Sequence, residues 1–398
     1  MSERVDISPT RTASRVGSRT IRPERLLGDL DRLATFGGRP DGGVDRVAGS
    51  PADHASRTWL RRRIEQAGLR AESDEIGNVF GRTRTGSGPR LLLGSHTDTV
   101  PAGGRLDGAY GVMAALEVLR TLHETSHPAA DTTEIVSFWD EEGAAPTSPG
   151  GLTGSTALCA GKRIRDISGY LELHIEQGPR MEHAGMELAA VDGIVGIDRH
   201  RITVRGAANH AGTTPMHTRC DAGRVAARVL AEIRDLALRL DAGMVANVGS
   251  LELLPGSPNV IPGAAAMTVE FRSGKAPALR AARNELAALV ARTSAEERCT
   301  ATVDLISHKP VAVFDQRLCD QVDESCRRTN PSTGELMSYA GHDASVLSGH
   351  VPTAMLFVPS TGGISHAPQE ATPAPLLVQG CQALYTAVVD LHDARVMS

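Results

Sequence analysis

Apolar residues recur at helical spacing in ERLLGDLDRLATFG, beginning near Arg25 and ending at Gly37-Gly38. A second helix is predicted over 52–68, with Leu60, Ile64 and Ala67 on one face and Gly68 as its stop. The run RLLLG at 90–94 follows a Gly-Ser-Gly-Pro turn and is short, apolar and unbroken, as a buried strand is. A helix over 111–122 and another buried strand, EIVSFW at 134–139, come next. This strand–helix–strand alternation predicts an α/β layer with a parallel or mixed sheet.

The pattern changes near residue 198. RITVR at 201–205 alternates with period two, and an amphipathic helix follows over 221–240. Strands at 245–253 and 265–271, a helix at 277–293 and a strand at 300–306 complete the order β-α-β-β-α-β, which is ferredoxin-like. A helix over 315–328, the strand AMLFV at 354–358 and a closing helix over 373–392 then resume the first layer. The expected organisation is a mobile tail over 1–24, one domain assembled from 25–197 and 312–398, and an inserted α+β unit over 198–311.

Composition removes several classes. An apolar fraction of 41% with 22% charged residues excludes a disordered or fibrous chain. No uncharged apolar stretch reaches the roughly 18 residues of a membrane helix, so no membrane partner is expected. Net charge is −5 and aromatics are 3%, which gives no nucleic-acid surface. Six scattered cysteines form no C-x-x-C pair, and the arginine-rich start lacks the apolar core of a secretory signal. Reduced thiols and a cytoplasmic location are therefore expected.

Five short segments carry candidate chemistry. His96 and Asp98 follow the RLLLG strand, where open α/β sheets bind ligands and a carboxylate can orient an imidazole. Asp107 lies in a glycine-dense stretch just before a helix. Asp140, Glu141 and Glu142 follow the EIVSFW strand; adjacent carboxylates repel unless solvent or a dication compensates them. In LELHIEQGP, period two places Glu172, His174 and Glu176 on one face. His366 sits on a glycine loop beyond the AMLFV strand. Each segment also has a plain structural use, as a helix cap, a surface loop or a solvated strand face. Together, three imidazoles and two carboxylates can hold two dications. Nitrogen and oxygen donors without thiolate suit Zn, Mn, Co or Ni.

The chain resembles the M20 metallopeptidase clan, and within it the amidase/hydantoinase–carbamoylase group, over about residues 25–395. That group comprises N-carbamoyl-L-amino-acid hydrolases, β-ureidopropionases and allantoate amidohydrolases. The motifs are GSHTDTVPAGGRLDGAYGV, LELHIEQGP, NHAGTTPMHTRCDA, PGSPNVIPG, GHDA and FVPSTGGISHAPQE. The resemblance implies a zinc-peptidase-like α/β catalytic domain with a mixed sheet and an inserted ferredoxin-like dimerisation domain. It implies that His96 and His174 bind one metal, that Glu142 and His366 bind the other, and that Asp107 bridges them. Glu141 would be the general base for a metal-activated water, and Asp98 would orient His96. His210 would reach the partner subunit's site and stabilise the oxyanion, making the protein a homodimer. Arg272, Asn259, Gln177 and the loop at Gly341 would contact a small carboxylate-bearing substrate.

The implied reaction is hydrolysis of a linear C–N bond in an N-carbamoyl amino acid or a related ureido acid such as allantoate or 3-ureidopropionate. One departure stands out: the stretch after the acid cluster, 143–151, lacks the Arg-Phe pair usual in the group. It favours a second reading, a dipeptidase or N-acyl-amino-acid deacylase of the same clan, which His174 and Gln177 disfavour. A non-catalytic scaffold is disfavoured, because no ligand and no base is lost.

Overall fold

A computed structural model describes residues 20–394. Of the tail expected over 1–24, residues 1–19 lie outside the described residues, and the rest is already anchored. Ile21 is buried, and α1 (Pro23–Ala34) starts with a proline whose missing N–H is no loss at a helix start. Leu26, Leu30 and Leu33 face the core, and Arg25 pairs with the buried Glu117 carboxylate at 2.5 Å. Ser50 caps α2 (Pro51–Gln66), accepting a hydrogen bond from the Asp53 amide.

The first sheet begins with β1 (Arg70–Ser73), β2 (Val79–Arg82) and β3 (Arg90–His96). After α3 (Ala109–Glu124) come β4 (Thr133–Phe138), α4 (Thr153–Ala160), β5 (Ile167–Ile175), α5 (Arg180–Ala184) and β6 (Leu188–Ile194). The chain then leaves for a second sheet. This consists of β7 (Gly196–Arg205), α6 (Ala222–Leu240), β8 (Val245–Leu254), β9 (Ala264–Ser273), α7 (Ala276–Glu296) and β10 (Thr300–Lys309). It returns through β11 (Ala312–Val313), α8 (Gln316–Thr329), β12 (Thr333–Ser338), α9 (Ala344–Leu347), β13 (Thr353–Val358) and α10 (Ala374–Asp393).

The first sheet has the order β1-β2-β4-β3-β5-β13-β6-β11, with β12 also paired to β6. Its centre, β4-β3-β5-β13, is parallel, and antiparallel pairs flank it. Parallel strands covered on both faces read as unbroken apolar runs, which explains RLLLG and AMLFV. Strand β5 breaks that rule. Glu172 and His174 are buried with the rest of it, so its polar face is interior rather than solvated. Helix α3 is buried along 109–122 and packs beside α10 against the sheet.

The second sheet, β10-β7-β9-β8, is antiparallel throughout and has its own core. Ile202, Val204, Val269 and Phe271 meet Val225, Val229, Leu286 and Val290 from α6 and α7. Its element order is the predicted β-α-β-β-α-β. On the outer strands Leu251, Leu253, Leu305 and Ile306 are exposed.

Candidate active site and metal centre

The carboxyl ends of the parallel strands converge. His96 is the last residue of β3, which runs two residues beyond the predicted RLLLG strand. Asp140, Glu141 and Glu142 follow β4, His174 lies near the end of β5, and the loop after β13 carries His366. Asp107 lies just before α3.

These side chains meet at Asp107. Its Oδ1 is 3.2 Å from His174 Nε2 and 3.6 Å from His96 Nε2. Its Oδ2 is 3.1 Å from His366 Nε2, which is itself 3.4 Å from Glu142 Oε2. Donors at 2.0–2.1 Å from a tetrahedral ion stand about 3.3 Å from one another. The contacts at 3.1–3.6 Å approach that spacing, and the groups His96–Asp107–His174 and Asp107–Glu142–His366, each with its donor atoms within 4.8 Å, share Asp107. Both imidazoles of the inner group are held in a useful tautomer. His96 Nδ1 faces the Asp98 carbonyl at 3.1 Å and His174 Nδ1 faces the Ile175 carbonyl at 2.8 Å. Carbonyls only accept, so Nδ1 carries the proton and Nε2 turns its lone pair to the cluster. Glu142 Oε1 is buried with no hydrogen-bond donor among the described residues, a further acceptor suited to a cation.

The electrostatics follow from packing carboxylates and imidazoles out of water. Burial alone would raise Asp107, but the neighbouring imidazoles of His174, His366 and His96 hold it well below the usual carboxylate range. Glu142 is pushed up to about 7, first by burial and then by the Asp107 charge. Burial also lifts Glu141 well above its ordinary value, against the pull of His96. Contact with Asp107 raises His366 to about 9.

The Asp98 side chain bonds backbone rather than the His96 ring. Its carboxylate lies 3.7 Å from His96 Nδ1, farther than its own carbonyl, and accepts the backbone N–H groups of Glu141 and Glu142 at 3.3 and 3.2 Å. One acid therefore sets the backbone of two others. Behind it, fully buried Arg46 donates to the carbonyls of Thr97, Leu33 and Phe36. Glu370 accepts the N–H groups of Leu106 and Asp107, both at 3.0 Å, and the Ser365 hydroxyl at 2.8 Å. It ties the Asp107 loop to the His366 loop. Sequence reasoning did not single out Arg46 or Glu370, because they act through backbone groups that leave no motif.

Gly108 shows how tightly the centre is drawn. Its φ is +61°, and a Cβ there would lie 2.4 Å from the His96 ring. Gly108→Ala should cost at least about 1 kcal/mol of stability. It should also weaken metal affinity by about tenfold or more, as His96 is displaced. Thermal melts in chelator and a metal titration of the stripped protein would show both losses, and an unchanged affinity would mean His96 is no ligand.

A cavity of about 510 Å³ opens beside the cluster, lined in part by Gln177, Arg272, Tyr339, Phe357 and His366. Gln177 Nε2 donates to Asp107 Oδ2 at 2.9 Å, leaving its Oε1 without a partner among the described residues. Arg272 donates to Glu270 and, through Nη1, to the Tyr339 carbonyl. Gly341 lies two residues past Tyr339, with open space around it. Next to it, His342 is buried against His174, their rings 4.5 Å apart, and burial holds it well below its usual value. His210 and Asn259 come together elsewhere. Residues 210 and 260 form a bridge between second-sheet loops, and among the described residues the exposed His210 ring accepts only the Gly212 and Thr213 N–H groups of its own loop.

Known proteins resemble this chain along most of its length. The profile of Peptidase family M20/M25/M40 matches residues 92–390. An allantoate amidohydrolase of Bacillus subtilis is 32% identical over 89% of this chain and 94% of its own length. An N-carbamoyl-L-amino-acid amidohydrolase of Paenarthrobacter aurescens is 30% identical over 91% of this chain and 96% of its own. The crystal structure of a hydantoinase/carbamoylase family amidase from Burkholderia phymatum is 34% identical, with a TM-score of 0.84 over 94% of this chain and 98% of that one. The chain belongs to Peptidase family M20/M25/M40.

Proposed function

We propose that the protein is a dinuclear metal-dependent amidohydrolase. It hydrolyses the linear C–N bond of an N-carbamoyl amino acid or a related ureido acid such as allantoate or 3-ureidopropionate. The observation that carries this reading is one carboxylate, Asp107, whose two oxygens face two separate donor groups. His96 and His174 would hold one ion, Glu142 and His366 the other, with Asp107 between them. Two divalent cations there, drawn from Zn, Mn, Co or Ni, would polarise a carbonyl and acidify water.

The chain's own residues supply the rest. Glu141 takes a proton from the attacking water and delivers it to the leaving nitrogen. Its raised affinity for protons, caused first by burial, suits that shuttle. As the C–N bond breaks, one water is consumed and the products are amino acid, CO2 and ammonia. Arg272 holds the substrate carboxylate with its planar fork. Gln177 and the Gly341 loop contact the ureido end.

The unit over 198–311 serves as dimerisation and lid domain. Its His210, with Asn259, completes the site of the partner subunit and steadies the oxyanion. Two features support this: His210 is exposed and unengaged with its own cluster, and the second sheet carries exposed apolar residues. Six free cysteines support a reducing, cytoplasmic location. No helix among the described residues is long and apolar enough to cross a membrane.

The dipeptidase or deacylase alternative rests on the 143–151 stretch without its Arg-Phe pair. N-carbamoyl, N-formyl, N-acetyl and dipeptide substrates, each offered with Mn or Zn, decide between the two. Turnover should be greatest on N-carbamoyl substrates and vanish with chelator. Faster cleavage of dipeptides or acetyl compounds would give the alternative the site.

A further inference from the structure

Resting on the amidohydrolase reading, we propose that Arg180 is a second anion-binding residue of the site. The substrate class is then an N-carbamoyl amino acid whose side chain bears a second carboxylate.

Arg180 opens α5 and lines the same cavity as Gln177, Arg272 and His366. Its guanidinium lies 3.4 Å from the centroid of the Tyr339 ring, a cation–π stack. None of its side-chain N–H groups has a hydrogen-bond acceptor among the described residues; only its backbone N–H is engaged, with Glu176. Tyr339 is itself fixed at both ends. Its carbonyl accepts Arg272 at 2.9 Å and its hydroxyl donates to the Gly243 carbonyl at 2.5 Å. One immobilised residue therefore joins two guanidinium groups into a single cavity wall.

The charge balance there is uneven. Among the described residues Glu176 is the only carboxylate lining the cavity, and its oxygens accept the backbone N–H groups of Arg180 and Met181 at 2.7 and 2.9 Å. No ion pair joins it to the Arg180 head group among the described residues, although the Arg180 charge still acts on it. Arg272, with two of its donors already committed, suits the α-carboxylate. A monocarboxylate leaves Arg180 facing solvent. A dicarboxylate brings an acceptor to its fork, and a bidentate charge-assisted pair is the strongest bond that geometry allows. The stack orients the fork and lowers the entropy lost on binding.

The test compares N-carbamoyl-L-glutamate with its isostere N-carbamoyl-L-glutamine, and the aspartate pair likewise, on metal-supplied protein. The wild type should favour the acid by at least about tenfold in kcat/KM, through KM. In R180Q that ratio should collapse towards one, and R180K should fall between. No acid preference in the wild type, or equal losses on both members in R180Q, overturns the proposal. So does a larger R180Q loss on allantoate, which has one carboxylate and a second ureido group. Calorimetric binding of the same pairs to wild type and R180Q separates the two claims. Arginine-dependent preference in binding without hydrolysis sinks the amidohydrolase reading alone, whereas hydrolysis without preference sinks the Arg180 assignment alone. Arg180 is exposed, so the variant should keep the wild-type Tm, which checks folding.

Discussion

Asp107→Asn is expected to abolish retention of both metal equivalents and to lower kcat/KM by at least about 10³-fold. Asp107 Oδ1 faces His96 and His174, while Oδ2 faces His366 and Gln177. Three imidazoles hold the group ionised at neutral pH, so its charge is always available to them. An asparagine keeps the shape but removes that charge, and it must point an NH2 at one donor group. Both cation positions are damaged by one atom change. Metal analysis of the purified variant, read beside its turnover, checks this. His366→Ala supplies the contrast, with one equivalent lost. An Asp107→Asn protein that still carries two ions would remove the bridging role.

Glu141→Gln should reduce turnover by about 10² to 10⁴-fold while leaving metal content at the wild-type level. Glutamine fills the same buried volume but cannot accept a proton. The Glu141 backbone N–H stays on Asp98, so the loop keeps its course. Glu141 Oε2 lies 3.7 Å from His96 Nε2, close enough to the cluster for a ligand role to be a real competitor. Metal content separates the two. A lost ion would make Glu141 a ligand, and unimpaired turnover would leave the proton shuttle to another group.

The fold was most legible where local pattern and tertiary burial agree. Strands β3, β4 and β13 are buried on both faces, so their apolar runs stand out in the chain. Strand β6, LAAVDGI, escaped notice because alanine and glycine carry little strand signal. It is placed by pairing with β13, β11 and β12, which only the three-dimensional structure supplies. In the site, the five candidate ligands were readable because imidazoles and acids recur just beyond strands. Arg46 and Glu370 show the opposite case, and so does the hold of Asp98 on two backbone amides. What they bond are amides and carbonyls, and every residue has those. Arg180 belongs with them, since a lone arginine after LELHIEQGP declares nothing until Tyr339 is seen beneath it.

The acids and imidazoles around Asp107 are unequally sheltered. The side chains of His96, His174 and Asp107 are 1–4% exposed, whereas His366 is 48% exposed. On the dinuclear reading the His366 position is the doorstep of the centre and the His96–His174 position its vault. On that reading the outer position would fill and empty more readily than the inner one, and a half-loaded form would depend on one outlying imidazole.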